Sequence, residues 1–138
     1  MLDKIDHIGI AVRDLDTTIT RYTALCGHAP NHLEEVASQK VKVAMFDVGE
    51  SRLELLMATA PDSPIAKFID KRGEGMHHIC FKVANLEAAL ARMAAAGMEI
   101  VPGAGGEGYA RSGVEGSRVA FLHPKSLMGV LVELVEQA

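Results

Sequence analysis

Residues 7–15 read HIGIAVRDL and residues 78–86 read HICFKVANL. Four of the nine positions coincide (His, Ile, Val and Leu), and the copies stand 71 residues apart in a chain of 138. Self-similarity at half the chain length means that one supersecondary unit is built twice. In each copy the His opens an apolar run of strand character. A polar turn follows, then an amphipathic helix, expected from Asp14 to about Cys26 and from Asn85 to about Ala96. Asp14 or Asp16, and Asn85, are natural N-caps, because their short side chains accept the unpaired amide hydrogens of the first turn. Gly27 and Gly97 stop the helices at matching places, where a left-handed residue costs glycine nothing.

Beyond each helix the period changes from helical to alternating. KVKVAMFDV (40–48) and RLELLMA (52–58) flank the turn GES (49–51), which is the pattern of a hairpin. RVAFLHP (118–124) and GVLVELVE (129–136) repeat it, with HPKSLMG holding the turn. The expected class is therefore α+β, a strand–helix–strand–strand–strand unit occurring twice, with modules at about 1–60 and 76–138. Between them, PDSPIAKFIDKRGEG (61–75) reads as a connector carrying one short helix, capped by Ser63 with Pro64 in its first turn. PGAGGEGYARSGVEG (102–116) is rich in glycine, but no strand leads into it and no GK[ST] closes it. It reads as a mobile loop over a binding cleft rather than a phosphate loop.

Composition narrows the function. Apolar residues make up 49% of the chain, enough for a core and incompatible with disorder. A net charge of −4 without basic runs argues against nucleic-acid binding, which needs a cationic face. Aromatic content of 4% and the absence of Trp argue against stacking surfaces. No apolar run approaches the roughly 20 residues that span a bilayer, and MLDKIDHIGI has no signal-peptide pattern, so a cytoplasmic protein without membrane contact is expected. Cys26 and Cys80 sit beside apolar residues and read as buried thiols, not a disulfide.

The repeat also places polar residues at matching points in apolar strands: His7 and His78 on the first strands, Glu54 and Glu133 on the last. A carboxylate in such a strand is costly unless it faces solvent, is paired, or binds metal. Taken singly, each Glu reads equally as the wet side of an edge strand, and each His as a hydrogen-bonded structural residue. Taken together, two His and two Glu recurring by duplication suit a borderline divalent metal such as Zn, Co, Ni, Mn or Fe. Neighbouring strand residues face opposite sides, so His77 is excluded by parity. His28, His32 and His123 fall in turn-like contexts without repeat partners and read as solvated. Neither Cys has the exposed, electropositive setting of a nucleophile.

IDHIGIAV, LELL followed by SPIAKFI, GEGMHHICF and HPKSLMGVLVELV closely resemble the methylmalonyl-CoA epimerases of the vicinal-oxygen-chelate superfamily, nearly end to end. The HPKS-x-x-G-VLVEL block is the most specific, because glyoxalases and extradiol dioxygenases tend to carry an acidic DP-x-G turn there. The resemblance implies two βαβββ modules curving into an open, cleft-like eight-stranded barrel, and a homodimer. It implies that His7, His78 and Glu133 hold a metal, Co2+ foremost with Zn2+, Mn2+ or Ni2+ as alternatives, with Glu54 a further ligand. The implied substrate is an acyl-CoA thioester, its (R) and (S) forms interconverted through a metal-stabilised enolate. Glu133 is then one base, and Glu54 or a water it holds the second group. Some members carry another catalytic Glu on the strand that is 40–48 here, whereas this chain offers Val43 or Lys42. Lys67, Lys71, Arg72, Arg111 and Lys125 are the cations available to an anionic CoA ligand. Glyoxalase I and a non-enzymatic ligand-sequestering module are the rival readings; the latter often lack the metal residues, and all four are present.

Overall fold

A computed structural model describes residues 1–103 and 110–138. Eight strands and three α-helices lie among them: β1 (Leu2–Ala11), α1 (Leu15–Cys26), β2 (His32–Val36), β3 (Val41–Val48), β4 (Ser51–Ala58), α2 (Pro64–Arg72), β5 (Gly75–Val83), α3 (Leu86–Ala95), β6 (Arg111–Ser112), β7 (Arg118–Leu122) and β8 (Val132–Glu136). The expected α+β class and the doubled β-α-β-β-β order are both present. Contacts divide the chain into one unit of His7–His77 and another of Met1–Asp6 with His78–Ala138. Each unit's main segment thus opens at a repeat histidine.

In the His7–His77 unit the strand order is β2-β3-β4-β1, with β1 parallel to β4 and the other pairs antiparallel. The second unit repeats it as β6-β7-β8-β5, with β5 parallel to β8. A parallel pair needs a crossover, and in each module that crossover includes the helix. Asp14 accepts from the Thr17 amide and Asn85 from the Ala88 amide, as the capping pattern requires. Gly27 ends α1 in the left-handed region at φ 80°, its amide donating to Thr23 O.

Alternation along the strands decides which residues meet the helix. Ile10, Val12, Ala44, Phe46, Leu53, Leu55 and Met57 pack with Leu15, Ile19 and Tyr22 of α1. Phe81, Val83, Ala120, Leu122, Val132 and Leu134 pack in the same way with Leu86, Ala89 and Leu90 of α3. Burying each large apolar side chain stabilises by about 1.5–3 kcal/mol. The helix therefore claims one parity of the three inner strands of its module, and the other parity is left to the far face. α2 occupies the connector, with Ser63 Oγ accepting from the Ile65 amide.

Two strands differ from the sequence reading. His32 lies on β2, hydrogen-bonded to Glu34, rather than in a turn. The HLEEV segment is edge-strand sequence, polar at three of five positions, and it gives no strong alternation signal. Residues 111–116 of the glycine-rich stretch form β6 and a 3-10 turn, so the loop is shorter at this end; residues 104–109 lie outside the described residues. His28 and His123 do sit in connections, but the His28 ring bonds Ala29 O and Asp47 O, and His123 caps a 3-10 turn through Lys125 N. Neither Cys is in a disulfide; Cys80 is buried, whereas Cys26 is only partly so, being on the outer edge of the α1 contact.

Candidate active site

The far face of the first module carries His7, Gly9 and Ala11 of β1, paired with Arg52, Glu54 and Leu56 of β4. Glu54 stands opposite Gly9. Its Oε1 lies 3.3 Å from His7 Nε2. Both residues are buried, His7 at 5% and Glu54 at 3% exposure. The next strand places Met45 opposite Glu54, and Val43 opposite Leu56.

The second module builds the same pair. Cys80 stands opposite Glu133 across the parallel β5–β8 ladder, and Phe121 of β7 lies opposite Glu133 on its other side. His78, two residues before Cys80, shares that face, and its Nε2 is 3.3 Å from Glu133 Oε1. His78 and Glu133 are 5% and 7% exposed. The imidazole stands edge-on to the Phe121 ring, 5.9 Å between centroids at 85°. His77 points away as parity requires, its ring packed edge-on against Phe68 of α2 at 4.8 Å.

All four expected residues are thus buried polar groups on the strand face opposite the helix. A buried carboxylate must be compensated, and a histidine nitrogen at 3.3 Å offers a partner in each module. The donors are imidazole nitrogen and carboxylate oxygen, the set that suits borderline divalent ions and neither soft thiophilic nor purely hard ones.

The cations expected near a CoA ligand separate into two kinds. Lys67, Lys71 and Arg72 lie exposed on α2. Lys125 is exposed too, its Nζ 2.7 Å from Glu99 Oε1, a bond that holds the Glu99 carboxyl below its ordinary range. Arg111 is half-buried and stacks over Phe121, Cζ 5.3 Å from the ring centroid. Burial pushes its guanidinium pKa down, and the negative charge of Glu133 pushes it back up. Sequence reading missed Phe121 because VAFL is apolar at every position; only the strand register singles it out as the neighbour of Glu133.

Among the described residues no helix is long and apolar enough to cross a membrane. The doubled βαβββ order with a buried His–Glu pair in each module defines a class, and residues 6–121 match the model of the Glyoxalase/Bleomycin resistance protein/Dioxygenase superfamily. The chain is 34% identical over 135 residues to the ethylmalonyl-CoA/methylmalonyl-CoA epimerase of Cereibacter sphaeroides, covering 97% of this chain and 98% of that one. It is 36% identical to the mitochondrial methylmalonyl-CoA epimerase of Homo sapiens, over 99% of this chain and 75% of the human one. A variant of Streptomyces coelicolor methylmalonyl-CoA epimerase, solved in complex with 2-nitronate-propionyl-CoA, superposes with a TM-score of 0.90 at 41% identity, over 100% of this chain and 96% of that one. Within the superfamily, the chain belongs to the methylmalonyl-CoA epimerase family.

Proposed function

We propose that this protein interconverts (R)- and (S)-methylmalonyl-CoA by removing and returning the C2 proton. The observation that carries the proposal is the duplicated pair, a buried imidazole nitrogen 3.3 Å from a buried carboxylate oxygen in each module. Full-length similarity to epimerases of this substrate supports it. His7, Glu54, His78 and Glu133 are proposed to hold one divalent ion per chain, with Co2+ the first choice and Zn2+, Mn2+ or Ni2+ as alternatives. Two nitrogens and two carboxylate oxygens fit such an ion and leave positions open for a ligand. When bound, the ion supplies Lewis acidity to the thioester and carboxylate oxygens that flank the acidic carbon.

The chain's own groups do the rest. Glu133 takes the C2 proton, and Glu54, its counterpart in the other module, serves the opposite face of the carbon, directly or through a water. A positioned base or acid of this kind contributes about 10²–10⁴-fold. His7 and His78, held by their strands, fix the carboxylates they face. The protein is proposed to work in the cytoplasm, as a homodimer.

Incubation with methylmalonyl-CoA in D2O, followed by mass and chirality analysis, tests this. Deuterium at C2 with loss of configuration is expected, alongside little turnover of the methylglyoxal–glutathione adduct. Robust turnover of that adduct, with no exchange into methylmalonyl-CoA across several added metals, would replace the epimerase with a glyoxalase.

A further inference from the structure

Of the five cations named for a CoA ligand, Arg111 shares a sheet face with the His78–Glu133 pair. It stands opposite Val119 on the neighbouring strand, and Val119 and Phe121 point to the same side of β7. Phe121 in turn stands opposite Glu133 and edge-on to His78. The guanidinium over the Phe121 ring is therefore a single aromatic ring removed from the reacting groups. Its Cζ lies over the ring, and one terminal nitrogen donates to Pro102 O. Its Nε is buried and has no hydrogen-bond partner among the described residues. A buried N–H in that state calls for an acceptor, and a charged one binds best.

We propose that Arg111 is the specificity-determining residue for the free carboxylate of the substrate, reading malonyl-type thioesters against simple acyl thioesters. This rests on the epimerase reading above. The fork of the guanidinium matches a planar carboxylate, a geometry that a lysine ammonium does not reproduce. The position also favours this carboxylate over the CoA phosphates. The carboxylate is attached to the reacting carbon, whereas the phosphates lie beyond the whole pantetheine arm. An exposed cation such as Lys125 suits those distant charges better than a half-buried residue beside Glu133 does. In a chain of net charge −4 a local cation at the acyl end also offsets the repulsion that the substrate carboxylate meets.

The test compares binding of malonyl-CoA and acetyl-CoA, which differ by the carboxylate alone, to metal-loaded wild type, Arg111→Ala and Arg111→Lys by calorimetry. Arg111→Ala is expected to weaken malonyl-CoA about 10–100-fold and acetyl-CoA about twofold or less, with Arg111→Lys between. Metal content by elemental analysis is expected to stay at the wild-type level in both variants. Equal weakening of the two thioesters would assign the cation to the CoA moiety and overturn the proposal, as would no weakening of either. Turnover is read separately: selective loss of malonyl-CoA binding in a protein that does not epimerise methylmalonyl-CoA keeps the carboxylate assignment and removes the reaction.

Discussion

Glu54 and Glu133 face a histidine at the same distance, yet their other neighbours differ. Glu54 sits between Gly9 and Met45, and Glu133 between Cys80 and Phe121. One step outward, the position opposite Val43 is Glu34, bonded to His32 at 2.8 Å, while the matching position opposite Val119 is Arg111. The duplication has thus preserved the pair and let the neighbours on the outer strands diverge, Glu34 and Met45 in the first module against Arg111 and Phe121 in the second. A reaction that treats two substrates of opposite configuration at one carbon needs two proton-transfer groups, but it has only one substrate carboxylate to recognise. Matched pairs with unmatched neighbours are what such a task asks for.

The sharpest way to break the comparison is to neutralise the two carboxylates separately. Glu133→Gln and Glu54→Gln each keep an oxygen for metal but lose the base, and each is expected to lower epimerisation about 10²–10⁴-fold. Each should still exchange the C2 proton of one epimer, and a different one. Near-normal epimerisation in both would remove carboxylates from the mechanism.

The histidines test the pairing one level down. His7→Ala and His78→Ala should each weaken metal binding by more than the roughly 10–100-fold typical of losing an outer partner, whereas His77→Ala leaves it largely unchanged. Competition with a chelator of known affinity gives the numbers, and full activity after proven metal removal would sink the metal site.

The cores come next. Phe46 and Leu122 are equivalent positions, on β3 and β7, at 0% and 2% exposure. Phe46→Ala is expected to cost about 3–5 kcal/mol and Leu122→Ala about 2–5, read by denaturant unfolding. Should the modules unfold separately, the two variants will shift different transitions.

The caps give the smallest effect. Asn85→Ala should cost about 1 kcal/mol at any pH, because the amide does not titrate. The Asp14 carboxyl is held below its ordinary value of 3.8, first by the bond from the Thr17 amide. A depressed folded value means its contribution is present above pH 3.8 and is lost as the pH falls through the folded value. Asp14→Asn should therefore remove that acid-side fall, seen as a flatter melting temperature below pH 4.

How much of this was legible in the sequence depends on how strongly a segment's pattern is forced. The three helices, their caps and six of the eight strands were readable because each alternates between a buried and a second face, or is bounded by a capping or turn residue. The four polar residues were readable only as a set, since duplication gives weight that no single Glu or His carries. β2 was not readable: an edge strand has one partner and its polar side chains need no burial, so HLEEV shows little pattern. β6 was hidden by its length of two residues and by the glycines around it. Arg111 could be named as a cation but not set apart from Lys67 or Lys125, because strand register, which the sequence does not display, puts it beside Phe121.

The first six residues belong with the segment that begins at His78, and Asp6 receives a bond from Gln137, 131 positions later. On a ribosome adding roughly 5–20 residues per second, the N-terminal half of β1 therefore waits on the order of ten seconds for its partners to exist. A strand whose edge stays open that long is exposed to pairing with other nascent chains. Residues 2–6 are thus made well before the segment that satisfies them, and a change in them would disturb the second module rather than the first.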